Sequence, residues 1–352
     1  MSVMSEMIAV AMSGGVDSSA AAAMLKKQGY GLIGITARMW PEGSRCCSDD
    51  DINNARLVCD FLGFPHHVVD LHEAFERDVV DGFVNEYARG RTPSPCALCN
   101  RFVKFGALME AAAGLGAARL ATGHYSRITT DLTGLRHLLK GVDKKKDQSY
   151  FLFCLSQNQL ARAVFPLGEM EKTAVVAFAR SEKLPAAERP ESQDLCFADF
   201  GRHHYLVELR RPGIVLEGDI VDVGGHKLGR HLGIHRYTVG QRRGLGIAVG
   251  KPVYVLKIDA ATNTVVVGDE SAALSKTAVL KGVSWISGRL LDRKLSADVK
   301  IRYNHSQVHC EVIPVGDDSL AIEFEKPQFA VAPGQIAALY IGEELVGGGW
   351  IE

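Results

Sequence analysis

The stretch Ala11-Met12-Ser13-Gly14-Gly15-Val16-Asp17-Ser18-Ser19 decides the reading of this chain. It follows an apolar run, Met7-Ile8-Ala9-Val10, and leads into Ala20-Ala21-Ala22-Ala23-Met24-Leu25-Lys26-Lys27. The pattern is strand, tight glycine turn, helix start. Glycines let the backbone approach a ligand closely and take dihedrals closed to other residues. The first N–H groups of a helix have no partner inside it and sit at its positive end, so they attract anions. Ser13, Ser18 and Ser19 add hydroxyl donors. The result is a phosphate cradle without the lysine of the G-x-x-x-x-G-K-[ST] loop. The plainer alternative is an ordinary strand-to-helix turn capped by Ser and Asp.

Downstream, strand-like and helix-like patterns alternate. Gly31–Ala37 is an apolar strand run, and Asp51–Leu62 is helical, ended by Gly63-Phe64-Pro65. His67–Asp70 reads as a strand and Glu73–Arg89 as a helix. Arg91–Pro95 is a loop with two prolines, Arg101–Gly114 a helix, and Arg119–Tyr125 a strand ending in a turn. Glu169–Lys183 is a further helix. This alternation predicts an α/β, doubly wound, Rossmann-like parallel sheet covered on both faces. Ligands gather at the strand C-terminal ends of such sheets. Beyond about Gly201 the texture changes: glycine is frequent, apolar runs shorten and alternate, and helical patterns vanish. The reading is three domains: 1–202, a small β-rich central domain at 203–270, and a C-terminal β-barrel at 272–352. Beyond Gly201 six strands are predicted, at Val253–Ile258, Thr264–Val267, Ala297–Arg302, Val308–Ile313, Leu320–Phe324 and Ile336–Tyr340.

At 352 residues the chain has length for several cores. No apolar run approaches the roughly 18 residues of a membrane span, and no secretory signal pattern opens the chain. The expectation is a cytoplasmic protein with no membrane contact. Net charge is −1, so the whole chain does not advertise a nucleic-acid partner. Locally, nine basic residues stand against four acidic ones from Gly201 to Lys251, and Lys140, Lys144, Lys145 and Lys146 form a second cluster. Either is compatible with nucleic-acid contact or with a solvated face. Of eight cysteines, Cys59, Cys154 and Cys310 sit in apolar patterns and read as core. Cys46-Cys47 lies in a polar loop and receives no role. Cys96, Cys99 and Cys196 remain. Cys96 and Cys99 precede the helix predicted at Arg101, where the helix dipole, Arg101 and Lys104 favour a thiolate.

Six blocks carry a family likeness: Ser13–Ser18, Thr92–Asn100, Ala121-Thr122-Gly123-His124-Tyr125, Lys146–Leu152, Glu191–Phe197 and Tyr237–Gly246, followed by Ala332-Pro333-Gly334-Gln335. The first resembles the SGGxDS loop of the ATP pyrophosphatase (PP-loop) superfamily, whose fold is adenine nucleotide alpha hydrolase-like. The ordered set resembles the tRNA-specific 2-thiouridylases, essentially end to end. The resemblance implies a tRNA-uridine 2-sulfurtransferase that replaces the C2 oxygen of the wobble uridine by sulfur in tRNAs for Lys, Glu and Gln. ATP and Mg²⁺ are the implied cofactors. An upstream persulfide carrier or cysteine desulfurase is the implied partner.

The resemblance assigns residues as follows. Ala11, Met12, Ser13, Gly14, Gly15, Val16, Asp17, Ser18, Ala37 and Gly123 match the ATP site. Ser94, Pro95 and Cys96 match the stretch facing the target base. His124, Lys146, Asp147, Gln148, Arg302, Tyr303 and Gln335 match tRNA contacts. Cys196 matches the thiol that receives the persulfide. Cys99 matches the nucleophile that releases the sulfur, ending in a Cys99–Cys196 disulfide. On pattern alone, Lys144–Lys146 is equally a solvated turn, His124 a satisfied strand-end histidine, and Gln335 a turn residue.

One position departs from the family. Many members carry an aspartate three residues before the first catalytic cysteine, as an acid/base group; here it is Cys96. A thiol of ordinary pKa, about 8.5, is no equivalent of a carboxylate. The change also creates Cys96-x-x-Cys99, with Cys196 as a third sulfur. Three thiolates are also the ligand set of a [4Fe–4S] cluster with one open iron, or of Zn²⁺. A different SGGxDS enzyme, an amidotransferase or ligase, is a further alternative; it needs no thiol pair.

Overall fold

The computed structural model describes residues 6–40, 48–189, 196–197, 203–316 and 318–352. Cys46-Cys47 and most of the Glu191–Phe197 block fall outside these residues.

The apolar run at the start forms β1 (Met7–Ala11), with Ile8, Ala9 and Val10 fully buried. It is followed by β2 (Gly31–Arg38), β3 (His66–Asp70) and β4 (Arg119–Ala121). A hairpin of β5 (Ser126–Thr130) and β6 (Arg136–Lys140) precedes β7 (Ala163–Val164). Without the hairpin, these strands make one parallel sheet in the order β3-β2-β1-β4-β7. Burial on both faces explains why β1 reads as a continuous apolar run rather than an alternating one. The strand order reverses at β1, so a crevice opens beyond the C-terminal ends of β1 and β4.

The helices follow the predicted order with instructive shifts. α1 (Val16–Lys27) buries Ala20–Ala23, small side chains that allow close packing. α2 (Asp49–Leu62) starts two residues early because Ser48 and Asp51 form a reciprocal capping box. Residues 72–88 are helical, with a π-helical turn at Glu76–Val80. The next helix begins at Pro95, not at Arg101, and continues to Gly114, π-helical over Cys99–Leu108. The prolines suggested a loop, but proline is well suited to the first helical turn, where its missing N–H costs nothing. Cys96 therefore lies inside the first turn and Cys99 on the next.

The expectation of no helix beyond residue 201 is corrected: His203–Arg210 is α-helical. It leads into a four-stranded sheet of β8 (Gly218–Val221), β9 (Lys227–His231), β10 (Tyr254–Asp259) and β11 (Thr264–Gly268), in the order β10-β11-β8-β9. Its core is Ile220, Val255, Val265 and Val267. Six further strands are β12 (Leu274–Trp285), β13 (Leu295–Lys300), β14 (Val308–Gly316), β15 (Ser319–Phe329), β16 (Ile336–Ile341) and β17 (Glu344–Ile351). They run β12-β15-β14-β13-β16-β17 and close through β12–β17 into an antiparallel barrel.

The sequence reading missed β12 and β17. Gly347-Gly348-Gly349 looks like a turn, yet it lies in β17. A Cβ at Gly347 would come within 2.5 Å of the Ser284 carbonyl oxygen, on the strand that closes the barrel. The β5–β6 hairpin, from the N-terminal part of the chain, extends this sheet by pairing β6 with β17. Among the described residues no helix is long and apolar enough to cross a membrane.

Candidate active site

The loop between β1 and α1 holds its own shape. Ser18 Oγ accepts from the Ser13 N–H (3.2 Å) and donates to the Gly15 carbonyl (3.1 Å). Ser19 Oγ donates to the same carbonyl at 2.8 Å. Gly14 has φ 71°, and a Cβ there would lie 2.4 Å from the Asp51 carbonyl oxygen. Only glycine fits this position. Gly123, just past β4, packs against the start of α1: a Cβ would meet Asp17 Cβ at 3.0 Å and Ser18 N at 3.1 Å. Ala37 is buried near the C-terminal end of β2. The segment Ala11–Ser18, Ala37 and Gly123 thus lie at the C-terminal edge of the sheet, with Gly14 packed against Asp51 and Gly123 against the start of α1.

The fold adds cations that the local sequence lacks. Lys172 Nζ lies 2.7 and 2.8 Å from the two Asp17 carboxylate oxygens. Tyr125 Oη donates to Asp17 Oδ1 at 2.8 Å. Arg189 donates to the Gly14 carbonyl at 3.1 Å and pairs with Asp51 at 3.1 Å. Lys172 and Arg189 were missed because nothing near either in sequence marks it as a loop partner.

The thiol region begins where the loop before Cys96 meets the barrel. Gln335 Nε2 donates to the Thr92 carbonyl at 2.9 Å and the Pro93 carbonyl at 3.3 Å. The Thr92 N–H donates to the Pro333 carbonyl at 2.8 Å. Arg91 pairs with Glu86 (2.7 Å) and Glu352 (3.0 Å). Gln335, expected as a tRNA contact, is here a clamp on that loop. Ser94 and Pro95 are buried, Cys96 is half-buried, Cys99 is buried and Cys196 is exposed. Burial pushes the Cys96 thiol up to about 11, against the opposing pull of Lys104; a nearby Cys196 charge pushes it up further. The expected helix-terminus thiolate is thereby corrected for Cys96: desolvation outweighs the positive charge, and the thiol stays protonated at neutral pH. Cys59, Cys154 and Cys310 are core thiols, each pushed up to about 12 by burial.

Lys104 and Phe105 connect the two regions. Lys104 also depresses the pKa of His124, whose burial is the larger cause and carries it well below the ordinary range. Phe105 lies 5.8 Å from the His124 ring. His124 is therefore neutral, bonded through Nδ1 to Thr122 Oγ1 at 2.6 Å. Contacts run from the β1–α1 loop through Gly123 and His124 to Phe105, on the helical stretch that carries Cys96 and Cys99, and Cys196 is near enough to Cys96 to act on it electrostatically.

The remaining expected RNA contacts divide. Asp147 is buried and accepts from the Gly141 N–H (3.0 Å), the Ser149 N–H (3.1 Å) and Ser149 Oγ (2.9 Å). Gln148 accepts from the Tyr125 N–H at 3.1 Å. These two residues shape the loop that presents Lys146. The Tyr303 ring lies tilted against Phe151 at 4.6 Å, and Lys300 lies 5.2 Å from the Tyr303 ring. Burial lowers the pKa of the neighbouring Arg302. In the central domain Lys227 and Arg230 are paired with Asp219 and Glu217, while Arg242, Arg243 and Lys251 are exposed. Among the described residues no group of three or more His, Cys, Asp or Glu is placed to hold a metal ion. Cys96, Cys99 and Cys196 are all described, so as arranged here they do not fit a cluster or a Zn²⁺ ion.

Three family models match in order: a tRNA methyl transferase HUP domain over residues 6–199, a tRNA methyl transferase PRC-barrel domain over 208–269, and an aminomethyltransferase beta-barrel domain over 275–351. Curated relatives match nearly end to end. A protein of Geobacter metallireducens named tRNA-specific 2-thiouridylase MnmA is 48% identical, covering 98% of this chain and 96% of its own. Proteins of the same name from Geotalea uraniireducens and Rickettsia typhi are 46% and 45% identical, each covering 98% of this chain and 94% and 98% of their own. Matching these relatives at 45–48% identity over 98% of its length, the chain belongs to the tRNA-specific 2-thiouridylase family.

Proposed function

We propose that this chain is a cytoplasmic tRNA-uridine 2-sulfurtransferase that converts the wobble uridine of tRNAs for Lys, Glu and Gln to 2-thiouridine. The observation that carries the proposal is the run of contacts from the Ser13–Ser18 loop through Gly123 and His124 to Phe105, on the helical stretch that carries Cys96 and Cys99. Residues 1–202 form the ATP-binding catalytic unit. Residues 203–270 and the barrel at 272–352 supply the tRNA surface, with Arg242 and Arg243 as exposed cations.

In this reading, the backbone of Ala11–Ser18, Ala37 and Gly123 holds ATP, and Lys172 and Arg189 add positive charge beside its phosphates. Mg²⁺ carried with the nucleotide would screen the charge of its phosphates. The uridine C2 oxygen attacks the α-phosphate and pyrophosphate leaves, so that a poor leaving group becomes a good one. Ser94, Pro95 and Cys96 face the base, which is turned out of its stack to reach them. Cys96, protonated, is suited to donate a hydrogen bond to charge developing on the base, not to take up a proton.

Cys196 carries a persulfide received from a sulfur carrier or cysteine desulfurase. The terminal sulfur attacks C2, the C2–O bond breaks, and AMP leaves. The Cys99 thiolate then attacks Cys196 Sγ. The bond from that sulfur to the transferred one breaks, leaving a thiocarbonyl on C2 and a Cys99–Cys196 disulfide. An external thiol returns two electrons and opens the disulfide.

The test is unmodified tRNA, ATP and a persulfide donor, with AMP and 2-thiouridine measured together. Both are expected, in equal amounts. AMP without 2-thiouridine, or full activity of Cys99→Ser, would point to another SGGxDS chemistry.

A further inference from the structure

Cys196 and Phe197 are consecutive and face opposite ways: the thiol is exposed and the ring is buried. The Phe197 ring lies 5.1 Å from Phe83 and 5.4 Å from Phe75, both edge-on, and 6.1 Å from Trp40. Phe75 and Phe83 are fully buried on one face of the 72–88 helical stretch. Trp40 follows β2 and packs edge-on against Phe75 at 6.0 Å. The Arg210 guanidinium lies over the Trp40 ring at 5.6 Å and also pairs with Glu76. The cage is therefore a built one, with walls from the end of β2 and from the 72–88 stretch.

Edge-to-face ring contacts fix orientation as well as burial. The next Cα is about 3.8 Å away along the chain, so a fixed ring limits where its neighbour's thiol can go. A sulfur-carrying thiol meets two demands: exposure to a donor, and defined reach toward the base. We infer that Phe197 is a positioning residue, seated in the Trp40–Phe75–Phe83 cage so that Cys196 stays exposed for loading yet held in place for sulfur transfer. The inference rests on reading Cys196 as the persulfide carrier. The proximity of Cys196 to Cys96, felt in the raised Cys96 pKa, supports it.

The test uses the full chain with Phe197→Ala, Phe197→Leu, Trp40→Leu and the Phe197→Ala/Trp40→Leu pair. Three quantities are read: tRNA-dependent AMP formation, persulfide loading of Cys196 by mass spectrometry, and single-turnover sulfur transfer from the loaded protein. Misplacement of a reacting group by about an ångström costs up to about a hundredfold in rate. Phe197→Ala should slow sulfur transfer about tenfold or more and Phe197→Leu less, with AMP formation and loading within about twofold of the parent. The paired variant should be no slower than Phe197→Ala alone, because both substitutions remove the same ring packing. Transfer at the parent rate in Phe197→Ala overturns the inference. So does an equal fall in AMP formation and transfer in both Phe197 variants, which marks a role in folding only. Thiolation by Cys196→Ser, in contrast, would overturn the carrier reading beneath it.

Discussion

The nucleotide end and the thiol end of this site are held by different means. At the nucleotide end, Ser13, Ser18 and Gly15 bond one another across three to five residues of chain. At the thiol end, the loop leading to Cys96 is held by Gln335, 243 residues away from Thr92, and Cys196 is tied down by a ring buried among Trp40, Phe75 and Phe83. A locally closed loop is rigid as soon as its strand and helix form. A site held by a distant barrel is only as well placed as the barrel. In the proposed reaction the chemistry divides along the same line, with activation of oxygen at one end and delivery of sulfur at the other.

The sharpest way to break the comparison is to kill each end separately. Cys99→Ser and Cys196→Ser should each abolish 2-thiouridine while AMP formation continues. Asp17→Asn should do the reverse, stopping AMP formation by loosening the Lys172 and Tyr125 contacts while Cys196 still accepts a persulfide. Parallel loss of both products in all three variants would mean the ends are one unit. Next in size is Gly14→Ala. Its φ of 71° and the 2.4 Å approach to Asp51 both oppose a side chain, at a cost of about 1–3 kcal/mol. ATP affinity by calorimetry should fall sharply and persulfide loading should not.

Gln335→Ala tests the other end. It removes two hydrogen bonds to the Thr92–Pro93 loop, worth about 1 kcal/mol each. Sulfur transfer should slow severalfold while ATP affinity is unchanged; an equal loss of both would erase the distinction. Smaller again is the effect of Arg242→Ala and Arg243→Ala. Each should weaken tRNA binding and flatten its dependence on salt by about one unit of slope for each phosphate that the arginine neutralises, measured by filter binding at several salt concentrations.

A further test reads stability, not activity, at alkaline pH. The Cys96 thiol has its folded pKa raised to about 11, above the unfolded value of about 8.5. Its contribution is complete below about 8.5 and is lost as pH rises through about 11. Cys59, Cys154 and Cys310 act in the same direction. The melting temperature should fall over that interval, and less steeply in Cys96→Ala than in the parent.

Much of the nucleotide end is legible in the sequence because its determinants are neighbours: an apolar run, two glycines and the serines that bond within the loop lie close together in the chain. The thiol helix is less legible. Its two prolines suggest a loop, yet Pro95 opens the helix, and the Cys96 pKa follows burial rather than the nearby charges. Lys172 and Arg189 are invisible, since a lone Lys or Arg carries no mark of the loop it will meet. β17 is hidden because its glycines, needed where strands crowd at the barrel closure, look like a turn.

The sequence by itself determined the parallel sheet and the glycine turn into α1, because local pattern and residue type are enough for these. Tertiary structure alone decided which cations reach that loop, which barrel residues grip the Cys96 loop, and that Cys96 stays protonated. These depend on desolvation and on contacts between residues far apart in the chain, which no local pattern records.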